Sequence, residues 1–343
     1  MRRIFWLVDP FEKPSAAEEA AVWAMGISER MRIPIQPVHV LSGGALAFSP
    51  EIHAAWIMQV ALQAEDKIQK LVEQLAVPHV LPPIVLSEIY RSRSEAVHAL
   101  IEFAKESQAE VFVLERLSGA RKTGKIGGFA ETLLLKSEIP VLVVGHHRAV
   151  KKTVGKKAAK KTGLTSRTPK KILLALDLEG DSTPIIEEVG SWARRMKAQV
   201  HLYHAAAPFP LTGYRPAADI YPGDWSGPVA PTTLSAWRGD VEARKKELAR
   251  LSKILIRKGV ECTVEVDSES TRAASGILKS KKRNHADWIA ISGRSGRWSA
   301  LIMGSVSRRV AREADCPVWV VRSFEKAEEK KLEKRGAVGA RAA

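Results

Sequence analysis

Two cysteines in 343 residues leave no material for a disulfide framework, because a stapled scaffold needs several pairs. Cys262 sits in an alternating, strand-like run and Cys316 just precedes an apolar one. Neither position suggests a bridge, and a reducing compartment, the cytoplasm, is the expectation. No run of about 18 apolar residues occurs, which argues against a membrane-spanning helix. The opening, Arg2-Arg3-Ile4-Phe5-Trp6-Leu7-Val8-Asp9, has the charged start of a secretion signal. Its apolar run ends after five residues at Asp9-Pro10 with no small-residue cleavage site, so it reads as a buried strand. Also missing are a Gly-x-Ser-x-Gly elbow, a full Gly-x4-Gly-Lys-Ser/Thr loop and any Cys/His spacing suited to zinc. His201 and His204 have opposite parity on a strand and form no i, i+2 metal pair. The sequence nominates no catalytic residue and no metal ligand; a slow ATPase is the most enzymatic reading it leaves open. Acids are scarce beside bases, 38 against 54, giving +16. Residues 149–169 hold seven Lys or Arg and no acid, leaving +9 for the rest.

What is present is a repeat. Two basic residues, five apolar residues and an aspartate occur at Arg2–Asp9 and again at Lys170–Asp177. Near the end of each copy stand Pro140-Val141-Leu142-Val143-Val144 and Pro317-Val318-Trp319-Val320-Val321. Gly119 and Gly127 precede the first, Gly296 and Gly304 the second, with glycine spacing of eight and glycine-to-proline spacing of thirteen in both. Four landmarks at matched offsets indicate duplication. Continuous apolar runs of this length are strands buried on both faces of a parallel sheet.

Between the landmarks strands alternate with helices. The first copy reads as a helix opened by the Ser15-to-Glu18 capping box and running to about residue 31, strand 35–41, helix 50–75, strand 84–86, helix 94–107, strand 110–115, helix 129–137 and strand 141–144. The second reads as helix 184–196, strand 199–205, helix 234–258, strand 261–267, helix 271–284, strand 288–292, helix 306–314 and strand 318–321. The expected fold is α/β: two tandem doubly wound domains, each with five parallel strands. The expected boundaries are 1–148, a basic flexible linker at 149–169, 170–323, and a charged tail at 324–343. The second copy carries an insertion at 208–231, rich in proline and including Phe209, Tyr214, Tyr221 and Trp225, which reads as a surface loop or a lid.

The stretch best suited to a ligand is Ala286-Asp287-Trp288-Ile289-Ala290-Ile291-Ser292-Gly293-Arg294-Ser295-Gly296, followed by Gly304-Ser305-Val306-Ser307. A strand ends, a glycine-bearing loop follows and a helix begins. Glycines admit a close backbone approach, and helix N–H groups point at any anion placed there. Ser305 and Ser307 add hydroxyls, and Arg294 and Arg297 add charge. Asp177 closes the first strand of this copy, at the edge where open α/β sheets bind ligands. Turn punctuation and an N-cap serine would account for the same residues without a ligand.

These residues resemble the universal stress protein family: the first-strand aspartate, the Ala-Asp strand ending in glycine, the Gly-x2-Gly pair, the Gly-Ser-Val-Ser helix start and the final Cys-Pro-Val-Trp-Val-Val. The resemblance spans both copies. It implies an adenine nucleotide-binding α/β fold, pairing of the copies through Val141–Val144 and Val318–Val321 as an intramolecular pseudo-dimer, and a ligand such as ATP, ADP or AMP, with Mg2+ able to accompany it. By position it places Gly293, Arg294 and Gly296 in the phosphate loop, Gly304, Ser305 and Ser307 on the phosphates, Asp177 on the ribose and Ala205 beside the adenine. Seven residues separate Gly296 from Gly304 where the family motif has nine, and Leu176 stands where nucleotide-binding members have a small or polar residue. In the first copy Arg116 replaces the first glycine, Gly128 replaces the serine and Glu115 adds a negative charge, so this copy reads as a degenerate, structural partner.

Three functions stay open: a cytoplasmic stress-response protein that senses an adenine nucleotide, a scaffold acting through its paired domains or a further homodimer, and a nucleic-acid binder working through Lys151, Lys152, Lys156, Lys157, Lys160 and Lys161. The third predicts DNA binding that weakens steeply with salt and disappears when residues 151–161 are deleted; a gel-shift titration at several ionic strengths checks it.

Overall fold

The computed structural model describes residues 1–12, 14–41, 50–87, 92–116, 127–145, 164–206, 231–292 and 304–321. The insertion up to residue 230, most of the basic linker and the C-terminal tail lie outside them. The first half contains β1 (Arg3–Leu7), α1 (Pro14–Met31), β2 (Ile35–Val40), α2 (Pro50–Leu75), β3 (Ile84–Leu86), α3 (Arg93–Glu106), β4 (Ala109–Glu115), α4 (Gly128–Lys136) and β5 (Val141–Val144). The second repeats the order as β6 (Lys171–Ala175), α5 (Thr183–Met196), β7 (Gln199–Ala205), α6 (Pro231–Arg257), β8 (Cys262–Asp267), α7 (Ala273–Arg283), β9 (Trp288–Ser292), α8 (Ser305–Glu313) and β10 (Val318–Val321).

The apolar tracts behave as their composition requires. Ile4, Phe5 and Trp6 of β1, and Ile172, Leu173 and Leu174 of β6, are wholly buried. Each strand therefore takes a central place, β1 between β2 and β4 and β6 between β7 and β9, all parallel. The helices lie on both faces and enclose two apolar layers, one under α1, α2, α5 and α6 and the other under α3, α4, α7 and α8. Within each half the strand order is 3-2-1-4-5, the doubly wound arrangement expected from the sequence.

The halves meet through their last strands. β10 runs antiparallel to β5, with Val318 opposite Val143, Trp319 opposite Leu142 and Val320 opposite Val141. One ten-stranded sheet results, in the order β3-β2-β1-β4-β5-β10-β9-β6-β7-β8. Beneath this join four tryptophans from both halves pack in series. Trp23 of α1 lies 5.6 Å from Trp288 of β9, Trp288 lies 6.2 Å from Trp319, and Trp319 lies 4.9 Å from Trp192 of α5. Tilted and edge-on contacts suit the ring quadrupoles.

The chain crosses from one half to the other along α1. Residues 149–169 read from sequence as a flexible linker, but the last part, 164–169, is held. The Arg167 amide donates to the Val22 carbonyl at 3.1 Å, Ser166 donates to Glu29 at 2.6 Å, and Arg167 lies 3.4 Å from Glu19. Gly26 makes room: a Cβ there would fall 1.8 Å from the Arg167 carbonyl oxygen. The reason the sequence misled is that small polar residues such as Thr165, Ser166 and Thr168 suit a groove on a helix as well as they suit solvent.

Trp319 is fully buried at the join. Trp319→Ala is expected to destabilise the protein by about 3–5 kcal/mol, read from urea denaturation of the full chain. A loss below about 1 kcal/mol would show that the tryptophan series does not hold the halves together.

Candidate functional site

At the carboxyl ends of β6, β7 and β9 the second half opens into a cleft of about 480 Å3. Its floor is Ala175, Leu176 and Asp177 after β6, and Tyr203 to Ala206 at the end of β7. One wall is Ile291 and Ser292 of β9 with Val306 and Ser307 from the first turn of α8. The opposite wall brings Asp240 and Arg244 from α6, and Ser270 and Thr271 precede α7.

Asp177 is exposed and accepts a bond from the Glu179 amide at 3.4 Å. That turn is sharpened by Leu178, which takes a left-handed φ of 60°. Leu176 lines the cleft floor but is buried, its amide held by the Tyr203 carbonyl at 2.9 Å. Its carbonyl lies 2.9 Å from Nδ1 of His204, so Nδ1 carries the proton and donates. Burial pulls the His204 pKa down, with the Leu176 bond opposing and Arg244 adding to the fall. A neutral imidazole therefore lines the cleft. Arg244 is oriented by Asp240 at 3.4 Å and by the Leu178 carbonyl at 3.3 Å.

Tyr203 donates to Asp267 at 2.8 Å, and Asp267 also accepts from the Glu269 and Ser270 amides at 3.0 Å. Burial alone would raise the Asp267 pKa, but these bonds hold it below the usual carboxylate range. The Tyr203 phenol is pushed up by burial and by that carboxylate. Gly276 of α7 is needed here, since a Cβ would lie 2.2 Å from the Tyr203 hydroxyl.

The sequence-derived residues divide as follows. Asp177, Ala205 and Ser307 line the cleft together. Gly304 precedes α8 as its N-cap with no side-chain bond, and Ser305 opens the helix as an exposed residue. Ser307 is buried and donates its hydroxyl to the Ser292 carbonyl at 3.1 Å. Its proton is spent on joining helix to strand. Gly293, Arg294, Gly296 and Arg297 lie outside the described residues. Tyr203, Asp240, Arg244, Ser270 and Thr271 were not found from sequence. Only the i, i+4 spacing of Asp240 and Arg244 hints that they share a helix face.

The first half has a matching cleft of about 490 Å3, lined by Asp9, His39, Glu115 and the first turn of α4. Nδ1 of His39 lies 2.8 Å from the Val8 carbonyl, which repeats the His204–Leu176 contact at the equivalent positions. Burial lowers the His39 pKa too. The start of the lining helix differs. A Cβ on Gly128 would lie 2.5 Å from Nη1 of Arg93, so an arginine rests against the helix start where the second half has Ser305. Among the described residues no group of three His, Cys, Asp or Glu side chains is placed to hold a metal, and no helix is long and apolar enough to cross a membrane.

His39, His201 and His204 each have a pKa below the ordinary 6.5, burial being the largest cause in all three. His201 stays low although Glu265 lies 2.9 Å away. The unfolded chain binds protons first as pH falls through 6.5, so these groups remove stability on acidification from that point down to their folded values. Denaturation midpoints are expected to fall between pH 7.5 and 5.5, with a shallower dependence in His204→Gln. An unchanged dependence in that variant would show that His204 titrates alike in both states.

Comparison with known proteins comes to the second half first. Residues 168–322 match the universal stress protein family. The chain is similar across 94% of its length to a universal stress protein from Archaeoglobus fulgidus DSM 4304, at 14% identity, 97% coverage of that chain and a TM-score of 0.57. It is also similar to a functionally unknown protein from Pseudomonas aeruginosa PAO1, at 15% identity, covering 94% of this chain and 92% of that one, with a TM-score of 0.54. At these identities the likeness is one of fold. No curated protein matches the chain. The ten-stranded sheet has the α/β fold of these neighbours, and the family likeness falls on the half that carries the second cleft.

Proposed function

We propose that this protein is a cytoplasmic regulator of the stress response that binds an adenine nucleotide in the cleft of its second half. The observation that carries this reading is the convergence of Asp177, Ala205 and the first turn of α8 on one cleft of about 480 Å3. A ribose placed over β6 meets the Asp177 carboxylate as an acceptor. An adenine lies against Ala205 and Ala206, with the neutral His204 at its side. Phosphates then reach the amides of Val306 and Ser307, at the positive end of the α8 dipole. The unpaired state of both cysteines fits a reducing compartment.

The cleft's charge limits the ligand. Asp177, Glu179 and Asp240 face it with Arg244 as the one described base. A triphosphate needs further neutralisation, which Arg294 and Arg297 of the glycine loop or Mg2+ would supply. With no described metal cluster, the ion would be carried by the phosphates and water rather than by a protein cage.

The first test is mass spectrometry of small molecules released from freshly purified protein, followed by calorimetric titration of the stripped sample with ATP. Co-purified adenine nucleotide, or micromolar binding (about −8 kcal/mol) lost in Gly304→Trp, is the expected result. No released nucleotide and no binding heat would turn the reading to a scaffold that acts through protein partners.

A further inference from the structure

We propose that Arg116 of the first half is a positioning residue for the phosphate end of the second half's cleft; this rests on the nucleotide-binding reading of that cleft. Arg116 follows β4, at the position where the repeat has Gly293 in the second half. Seen in its own copy, it is a lost phosphate-loop glycine. In the fold it crosses the join. Nη1 lies 3.2 Å from the Ala311 carbonyl, 2.6 Å from that of Arg312 and 3.0 Å from that of Ala314. These carbonyls belong to the last turn of α8 and its C-cap, groups that a helix leaves without internal partners.

The arginine is fixed at both ends. Its amide donates to the Val144 carbonyl at 2.7 Å, which adds it to the sheet beside β5. Its guanidinium fits because Gly145 has no side chain: a Cβ there would lie 2.5 Å from Nη2. The result is a cation against the negative end of α8, held by the sheet of the other half. At the opposite end of the same helix Val306 and Ser307 line the second cleft. α8 has nine residues, too short to hold its form alone, so its placement depends on what grips its ends. Ser307 bonded to Ser292 grips one end and Arg116 the other. A phosphate at the first turn and a guanidinium at the last complement the same dipole. Arg116 also adjoins Glu115, which lines the first cleft, so two neighbouring residues touch that cleft and the helix that lines the second.

The test uses the full chain and compares ATP with adenosine, which reaches Asp177 and Ala205 but not α8. Arg116→Met is expected to weaken ATP about fivefold and to leave adenosine unchanged. Hydrogen exchange at the amides of Val310 and Ala314 is expected to quicken in the same variant. Arg116→Lys, which keeps the charge on a shorter side chain without the planar guanidinium, is expected to recover only part of the ATP affinity and serves in place of Arg116→Met if that variant does not fold. Wild-type protein that binds no ATP overturns the nucleotide reading and this inference with it. Wild-type binding with ATP unaffected in the variants overturns the inference alone. Equal weakening of ATP and adenosine does so too, because Arg116 would then serve the fold and not the phosphate end.

Discussion

A strand that is apolar on both faces cannot stand at a sheet edge in water without exposing a row of amides and carbonyls and two faces of hydrocarbon. β5 and β10 are both strands of this kind, fully buried along Val141–Val144 and Val318–Val321. Their antiparallel pairing meets that requirement for each half at once. The single sheet, the tryptophan series beneath it and the passage of the chain along α1 all depend on this contact. Trp288 and Trp319 have indole N–H groups with no acceptor, a cost of about 1–3 kcal/mol each. The interface accepts that penalty because rings of this size fill the space between α1 and α5, where smaller residues would leave cavities.

The clefts follow from the same doubly wound topology. In each half the first strand lies between the second and fourth, so the strand order reverses there and the carboxyl ends diverge. Both halves place an aspartate at that point and a histidine held by the carbonyl before it. The second half has Ser305 at its helix start, whereas Arg93 and Glu115 occupy the corresponding region of the first. Two clefts of nearly equal volume therefore offer different charge to a ligand.

Much of the fold was legible because strand and helix periodicity is local. The apolar runs at 4–8 and 172–176, the terminal valine tetrads and the alternation between them are properties of adjacent residues. Helix ends were less legible. α6 begins at Pro231, three residues ahead of its expected start, because proline is as well suited to a first helical turn as to a loop. The site was legible where one segment supplies it, as at Asp177, Ala205 and Ser307. It was not legible where separate segments converge. Nothing near Asp240 or Arg244 says that α6 leans over the end of β6, and nothing near His39 or His204 says which carbonyl each ring meets. Arg116 could be read from sequence only as a missing glycine, since its partners lie about 195 residues away.

Glu131 of α4 and Arg308 of α8 occupy equivalent positions in the two copies and lie 3.6 Å apart across the join. At more than a third exposed on one side, the pair contributes little to stability. Its consequence is for partner choice. Two identical second halves brought together through β10 would set arginine against arginine, and two first halves would set glutamate against glutamate. Each half is thereby matched in charge to the other rather than to itself at this position, which disfavours pairing of like halves.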